Sequence, residues 1–198
     1  MTIRSIFLAA VMLLLSACGN ADTSATGTSL KFNSETLVSG LEHPWSLAFL
    51  PDREILVTER PGRLRRIVNG QLDEKPVSGA PKVAVHGQGG MLDILLHPAF
   101  AENRLVYLSY ALPCPDGGNT TAVGRGEYRD GALHNFKQVI ASRACGDKGQ
   151  HYAGRMLFDQ QGYLYLSIGD RGERDRAQNG KDHAGSILRL HDDGSIPQ

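Results

Sequence analysis

The sequence predicts an all-β protein. Short apolar stretches in which the polarity alternates from residue to residue recur after residue 37, and no stretch carries a sustained apolar stripe with the 3.6-residue period of a helix. The chain also contains 23 glycines among its 198 residues, which suits a fold with many turns.

The overall composition is that of an ordinary globular protein, with 41% hydrophobic and 21% charged residues. The 21 basic residues equal the 21 acidic ones in number. Because no basic excess is available to attract phosphates, nucleic acid is not an expected partner.

The first residues are typical of a bacterial export signal. Arg4 supplies the positive charge, and the apolar stretch 6–15 is too short to span a bilayer stably. Residues 15–18 (Leu-Ser-Ala-Cys) resemble a lipobox, which implies cleavage after a signal peptide at 1–17 and lipid attachment to Cys18. Residues 18–36 then form a flexible tether. We therefore expect a periplasmic protein held to the membrane, the outer one, only by lipid; the alternative is an ordinary secretory signal.

Two cysteines remain after Cys18, namely Cys114 and Cys145. In an oxidising periplasm such a pair predicts a disulfide, which would stabilise the fold by roughly 3–4 kcal/mol through a loop of about 30 residues. Two independent buried thiols are the alternative. The cysteines do not have the spacing of a zinc site.

The strand pattern recurs in three sets. The first set is 45–49, 54–59 and 63–68; the second begins with 91–96 and 104–111; the third begins at Arg155 and continues through 163–168 to 187–190. The sets open about 45 and then about 60 residues apart, which is typical of β-propeller blades with one long inter-strand insertion. A Greek-key sandwich is the alternative. Because three blades do not close a ring, we expect residues 37–198 to be the N-terminal half of a longer domain.

One histidine and one aspartate stand at the two ends of a predicted hairpin. His151 precedes its first strand and Asp170 follows its second, with a turn at 160–162 between them. Such a hairpin brings an imidazole and a carboxylate to the same end of a sheet, as in an oriented general base. A surface histidine and a turn aspartate are the alternative.

Three motifs in order resemble one known family. They are residues 41–49 (Leu-Glu-His-Pro-Trp-Ser-Leu-Ala-Phe), residues 87–100 from Gly-Gln-Gly-Gly-Met-Leu to His-Pro-Ala-Phe, and the group formed by 151–155, 168–174 and 185–190. Together they closely resemble the soluble PQQ-dependent glucose/sorbosone dehydrogenases, in particular the aldose sugar dehydrogenase branch. The resemblance covers residues 37–198.

The resemblance implies a six-bladed β-propeller that carries pyrroloquinoline quinone (PQQ) and oxidises aldose sugars at C1 to the lactone. His151 matches the catalytic base that takes the anomeric proton while hydride passes to PQQ, and imidazole suits proton exchange near neutral pH. Asp170 matches the catalytic carboxylate that orients this base. Gln88 matches a side-chain amide that binds the substrate and cofactor.

The sequence departs from the family pattern before the histidine, where Gln150 replaces an acid that glucose-oxidising relatives often carry; this leaves the preferred sugar open. The cationic partners of PQQ and the ligands of its Ca²⁺ are expected mostly beyond residue 198, so this chain should contain no metal site and be inactive alone. The electron acceptor is unknown. Arg155 is predicted to be structural and His97 to cap a turn, whereas the charge run 171–176 is either a solvated loop or the rim of the site.

Two other functions fit a propeller. One is a non-catalytic module that binds a carbohydrate or a protein, because a fold alone does not decide function. The other is a metal-dependent lactonase, which needs inward-facing carboxylates from several blades; the first blade offers only Glu54 and Glu59.

Overall fold

The computed structural model describes residues 32–198, and the strands within them form three antiparallel sheets. The all-β prediction is confirmed. The predicted signal peptide, the lipidation site Cys18 and most of the tether lie outside the described residues. Among those described, no helix is long and apolar enough to cross a membrane.

The first sheet contains four strands that pair in chain order. The turn after Leu50 and the turn at Pro61-Gly62 close through backbone hydrogen bonds from Arg53 and Gly62, as the Pro and Gly signals predict. The strands are β1 (Pro44–Phe49), β2 (Ile55–Glu59), β3 (Arg63–Val68) and β4 (Gln71–Leu72).

The second sheet also has four strands in chain order, and it is the largest of the three. In the turn between the first strand and a short helix, His97 Nδ1 accepts a hydrogen bond from the Ala99 N–H at 3.0 Å, in agreement with the predicted turn cap. The elements are β5 (Met91–Leu96), α1 (Phe100–Asn103), β6 (Leu105–Pro113), β7 (Asn119–Arg129) and β8 (Ala132–Ala141).

The third sheet contains β9 (Ala153–Phe158), β10 (Leu164–Ile168) and β11 (Ile187–Leu190), with β10 in the centre. A short 3₁₀ helix (Arg174–Gln178) lies in the connection between β10 and β11. The predicted turn at 160–162 closes through a hydrogen bond from the Gly162 N–H to the Asp159 carbonyl.

The second sheet differs from its prediction because β7 and β8 were not expected as strands. The long inter-strand insertion is instead accommodated by these long strands and by the loop that follows them. Glycines at 124 and 126, which lower strand propensity, allow the Phe136 ring to pack against β7. A disulfide joins Cys114, at the end of β6, to Cys145 in the loop after β8.

Apolar side chains fill the two layers between the sheets. Leu56, Met91 and Leu108 belong to the layer that joins the first and second sheets. Tyr107, Met156 and Leu166 belong to the layer that joins the second and third. Because both faces of the second sheet are covered, β6 is buried almost continuously rather than on alternate residues. Each fully buried large apolar side chain contributes about 1.5–3 kcal/mol.

A buried carboxylate connects all three sheets. Asp93, on β5, accepts hydrogen bonds from Ser46 Oγ on β1 at 2.6 Å and from the Met156 N–H on β9 at 2.7 Å. It also accepts from Arg155 Nη1 at 2.8 Å and from the Ile94 N–H at 3.0 Å. Its side chain is 2% exposed, so these four donors replace the water that ionised Asp93 loses on folding.

Three buried hydroxyl groups add further bonds between sheets. Thr58 Oγ1, on β2, donates to the Leu92 carbonyl on β5 at 2.6 Å. Ser109 Oγ, on β6, donates to the Gly154 carbonyl on β9 at 2.7 Å, and Thr121 Oγ1 on β7 donates to the Tyr152 carbonyl at 2.8 Å. The first bond joins the first sheet to the second, and the other two hold the third sheet and the segment before it against the second sheet.

Replacing Asp93 with Asn tests the connection between the sheets. Asn has one acceptor oxygen, so its NH₂ group would face a donor that the carboxylate now satisfies. We expect Asp93→Asn to lower the free energy of unfolding by about 1.5–3 kcal/mol. Asp73→Asn, which removes the charge from a partly buried pairing with Arg66, is the control and should cost less than about 1 kcal/mol. Urea unfolding measures both, and equal costs would contradict this role of Asp93.

Candidate functional site

Three loops meet at one end of the sheets. Residues 86–90 precede β5, residues 149–152 precede β9, and residues 169–173 follow β10. The Gln88 N–H donates to the Gly149 carbonyl at 2.8 Å, and the Gly169 N–H donates to the Tyr152 carbonyl at 3.3 Å. The three loops therefore bring together Gln88, His151 and Asp170, the three site residues predicted from the sequence.

His151 and Asp170 form a direct hydrogen bond. Nδ1 of His151 lies 2.6 Å from Oδ1 of Asp170. Because an ionised carboxylate only accepts, Nδ1 carries the proton, and in the neutral ring the lone pair is then on Nε2. The His151 side chain is 53% exposed, so this nitrogen is open to a ligand. The pair has the geometry of a general base whose ring is oriented by a carboxylate.

The carboxylate of Asp170 is stabilised in its ionised form. The hydrogen bond from His151 lowers its pKa below the ordinary value of 3.8, and the Gly172 N–H, which donates to Oδ1 at 2.8 Å, lowers it further. Since the pKa is depressed, the stabilisation is present above pH 3.8 and is lost as the pH falls through the lowered pKa. Asp170 is thus a permanent acceptor for His151 at neutral pH.

The Gln88 side chain forms a hydrogen bond with the backbone of His151. Its Oε1 accepts the His151 N–H at 2.9 Å, which occupies the carbonyl half of the amide. The NH₂ half remains to donate to a ligand beside the histidine. The resemblance indicated an amide that binds the substrate and cofactor; in the structure the amide oxygen accepts from the His151 backbone.

Several residues at the site have positive φ angles, which are uncommon for residues other than glycine. His151, Ala153 and Arg171 have φ values of 52°, 55° and 59°, in the left-handed region. Such residues cost of order 1–3 kcal/mol each and persist where their surroundings hold them. Gly169 permits the close approach, because a Cβ there would collide with the His151 carbonyl oxygen.

Arg171 is a site neighbour that sequence reasoning missed. It lies in the predicted charge run, yet its side chain is fully buried and stacks on the Tyr152 ring at 3.6 Å. The rest of the run divides: Arg174 and Asp175 are exposed, whereas Arg176 donates to Asp182 at 2.8 Å. No local pattern separates Arg171 from the other arginines, because the segment is polar throughout.

Arg155 has the structural contacts that the sequence predicted. It donates to Asp93, and its guanidinium lies 4.8 Å from the centre of the Trp45 ring. These contacts join β9 to β1 and β5. Arg155 therefore links one strand from each of the three sheets.

The candidate site presents polar groups to a ligand. The free NH₂ of Gln88 and the exposed Nε2 of His151 are suited to an oxygen-rich ligand such as a quinone or a sugar. Within residues 32–198 no three His, Cys, Asp or Glu side chains are grouped to hold a metal. Glu59, considered above as a lactonase ligand, is fully buried and pairs with Arg63 and Arg65.

Residues 41–198 match the family model described as Glucose / Sorbosone dehydrogenase, so the chain belongs to this family of sugar dehydrogenases. Among its relatives is "Aldose sugar dehydrogenase YliI" of Escherichia coli (strain K12), which is 39% identical over 197 residues, or 98% of this chain and 51% of that protein. The resemblance to the PQQ-dependent sugar dehydrogenases is confirmed.

Two solved structures share the architecture. A glucose dehydrogenase crystal structure superposes with a TM-score of 0.79 and 43% identity, covering 82% of this chain and 48% of that one. The PQQ-bound aldose sugar dehydrogenase from Streptomyces coelicolor gives a TM-score of 0.71 and 28% identity, covering 81% and 48%. The chain spans about half the length of the curated relatives it matches.

The His151–Asp170 bond can be tested without any ligand. We expect His151→Gln to raise the pKa of Asp170 toward its ordinary value of 3.8, because the main hydrogen bond that stabilises the carboxylate is lost. The side-chain ¹³C resonance of Asp170, followed against pH, measures this change. His134→Gln, at an exposed position on β8, is the control and should leave the titration unchanged. An Asp170 titration that is the same in all three proteins would contradict the pairing.

Proposed function

We propose that the intact protein is a PQQ-dependent aldose dehydrogenase that oxidises the sugar at C1 to the lactone. The observation that carries the proposal is the 2.6 Å contact between His151 Nδ1 and Asp170 Oδ1, at an open site in a member of the glucose/sorbosone dehydrogenase family. The PQQ-bound aldose sugar dehydrogenase from Streptomyces coelicolor, which shares the fold, supports the choice of cofactor.

In this proposal His151 is the catalytic base. Its Nε2 accepts the proton of the anomeric hydroxyl as the C1–H bond breaks, which leaves the carbonyl of the lactone. PQQ, when bound, supplies the acceptor for the hydride. Asp170 keeps the Nδ1 proton in place and stabilises the imidazolium that forms. It is therefore a positioning residue that acts through His151.

Gln88 has two roles in the proposal. Its Oε1 holds the His151 backbone, so the ring faces Asp170 in one orientation. Its NH₂ group donates to the sugar or to the cofactor, without adding a charge beside the base. We propose that Ca²⁺ accompanies PQQ, with ligands mostly outside this chain.

The proposed protein is a six-bladed propeller, in which this chain provides about three blades. Exposed apolar side chains on the first and third sheets support this proposal, because a closed ring would cover faces of both sheets. They include Phe49 on β1 and Ile187 on β11, which are 70% and 73% exposed. We also propose a periplasmic location with a lipid on Cys18, supported by the lipobox-like residues 15–18.

Replacing the base tests the reaction. In the intact protein supplied with PQQ and Ca²⁺, His151→Gln should reduce aldose-dependent dye reduction by about 10²–10⁴-fold, because proton transfer loses its acceptor. PQQ binding, followed by absorbance, should stay within about twofold. His134→Gln is the control and should retain full turnover. Unchanged turnover in His151→Gln would exclude this base, and an intact protein that binds sugar but not PQQ would indicate a non-catalytic binding module.

The 198-residue chain alone is expected to be inactive. Its relatives are about twice as long, and the candidate site formed by the described residues has one amide, one imidazole and one carboxylate but no cluster of metal ligands. We expect no sugar-dependent dye reduction above background with PQQ and Ca²⁺ added, measured beside the intact protein as the positive control. Turnover by the chain alone would show that the site is complete without the remainder.

A further inference from the structure

Arg171 contacts both neighbours of His151. It directly follows Asp170 in the chain, and its Nη1 donates to the carbonyl of Gln150 at 2.5 Å. Its guanidinium stacks on the ring of Tyr152 at 3.6 Å. The residue beside the carboxylate therefore binds the residues immediately before and after the imidazole.

We propose that Arg171 is a positioning residue that sets the orientation of His151 relative to Asp170. The inference rests on the proposed function for its effect on turnover, whereas the contacts themselves are independent of it. Arg171 contacts the backbone carbonyl of Gln150 and the side-chain ring of Tyr152, and His151 lies between these two residues in the chain.

The backbone of this segment needs such support. His151 and Arg171 both have left-handed φ values, of 52° and 59°, which are uncommon for residues other than glycine. A relaxed loop would rotate the imidazole away from the carboxylate. The hydrogen bond to the Gln150 carbonyl and the stacking on Tyr152 hold both strained residues at once, because they connect the loop before β9 to the end of β10.

The chemistry of the buried cation fits this role. Among the described residues, the partners of the Arg171 guanidinium are backbone carbonyls and an aromatic ring, with no carboxylate. An acid placed there would neutralise the cation but would also add a second negative charge close to Asp170. Carbonyl oxygens accept from Nη1 and Nη2 without competing for the Nδ1 proton of His151, whereas Nε is buried without a hydrogen-bond partner among the described residues.

The loop closed by the disulfide provides a third anchor. Nη2 of Arg171 lies 3.4 Å from the carbonyl oxygens of both Asn119 and Gly146. These two residues pair through backbone hydrogen bonds of 2.9 and 3.0 Å, and Gly146 follows Cys145 of the disulfide. Arg171 therefore rests on a covalently closed segment rather than on a free loop.

Lysine is the informative replacement for Arg171. It keeps the positive charge, but its single ammonium group lacks the planar fork that donates to several carbonyls while stacking on a ring. In Arg171→Lys we expect the pKa of Asp170 to rise toward its ordinary value, because the bond from His151 loosens. In the intact enzyme we expect kcat to fall ~10- to 100-fold with the sugar KM changed less than ~3-fold.

Two measurements decide the proposal. The ¹³C titration of Asp170 needs no cofactor, so it remains decisive if the protein shows no sugar oxidation and the proposed function fails. Arg125→Lys is the matched control, because Arg125 is also largely buried but donates to Tyr107 and Asp192, outside the site. It should leave both readouts unchanged. An unchanged Asp170 titration or an unchanged kcat in folded Arg171→Lys would overturn the proposal.

A second pair of variants covers the case in which Arg171→Lys does not fold. Tyr152→Leu removes the ring on which the guanidinium stacks, whereas Tyr152→Phe keeps it. We expect Tyr152→Leu to raise the Asp170 pKa and lower kcat, and Tyr152→Phe to restore both. Equal behaviour of the two variants would overturn the positioning role, and circular dichroism verifies that each is folded.

Discussion

The carboxylate of Asp93 is the interaction on which the arrangement of the sheets depends. The ladder hydrogen bonds of each sheet join strands of that sheet, so this pairing does not by itself place one sheet against another. Asp93 lies on β5 and accepts hydrogen bonds from Ser46 on β1 and from Met156 on β9, so one buried group links a strand of each sheet. A misplaced sheet would leave a buried charge short of donors. Apolar packing adds most of the stability but is far less directional.

That arrangement brings the loops of the candidate site together. Gln88 precedes the strand that carries Asp93, and His151 precedes the strand that donates to it. The hydroxyl bonds from Ser109 and Thr121 then hold the start of the third sheet against the second. The imidazole, the carboxylate and the amide consequently lie together at one end of the three sheets. The backbone there is strained, and the surrounding contacts hold it in place.

Much of the fold and part of the site could be predicted from the sequence. Alternating polarity and turn residues indicated the strands around His151, and hairpin geometry indicated that Asp170 would lie near it. The strands β7 and β8 escaped prediction because glycine lowers the strand propensity of β7 and the packing of Phe136 compensates for it only in three dimensions. The burial of Arg171 was not predicted, because the local sequence of a charged segment does not show which of its residues the fold covers.

The sequence by itself determined the all-β class and the family and supplied the candidate imidazole, carboxylate and amide, because periodicity, turn chemistry and ordered motifs are local properties of the chain. Only the tertiary structure decided that the Gln88 side-chain oxygen accepts from the His151 backbone, that Asp93 joins three sheets, and that Arg171 is buried against Tyr152. These contacts join residues that lie far apart in the chain. Their existence depends on the relative placement of whole sheets, which no local pattern encodes.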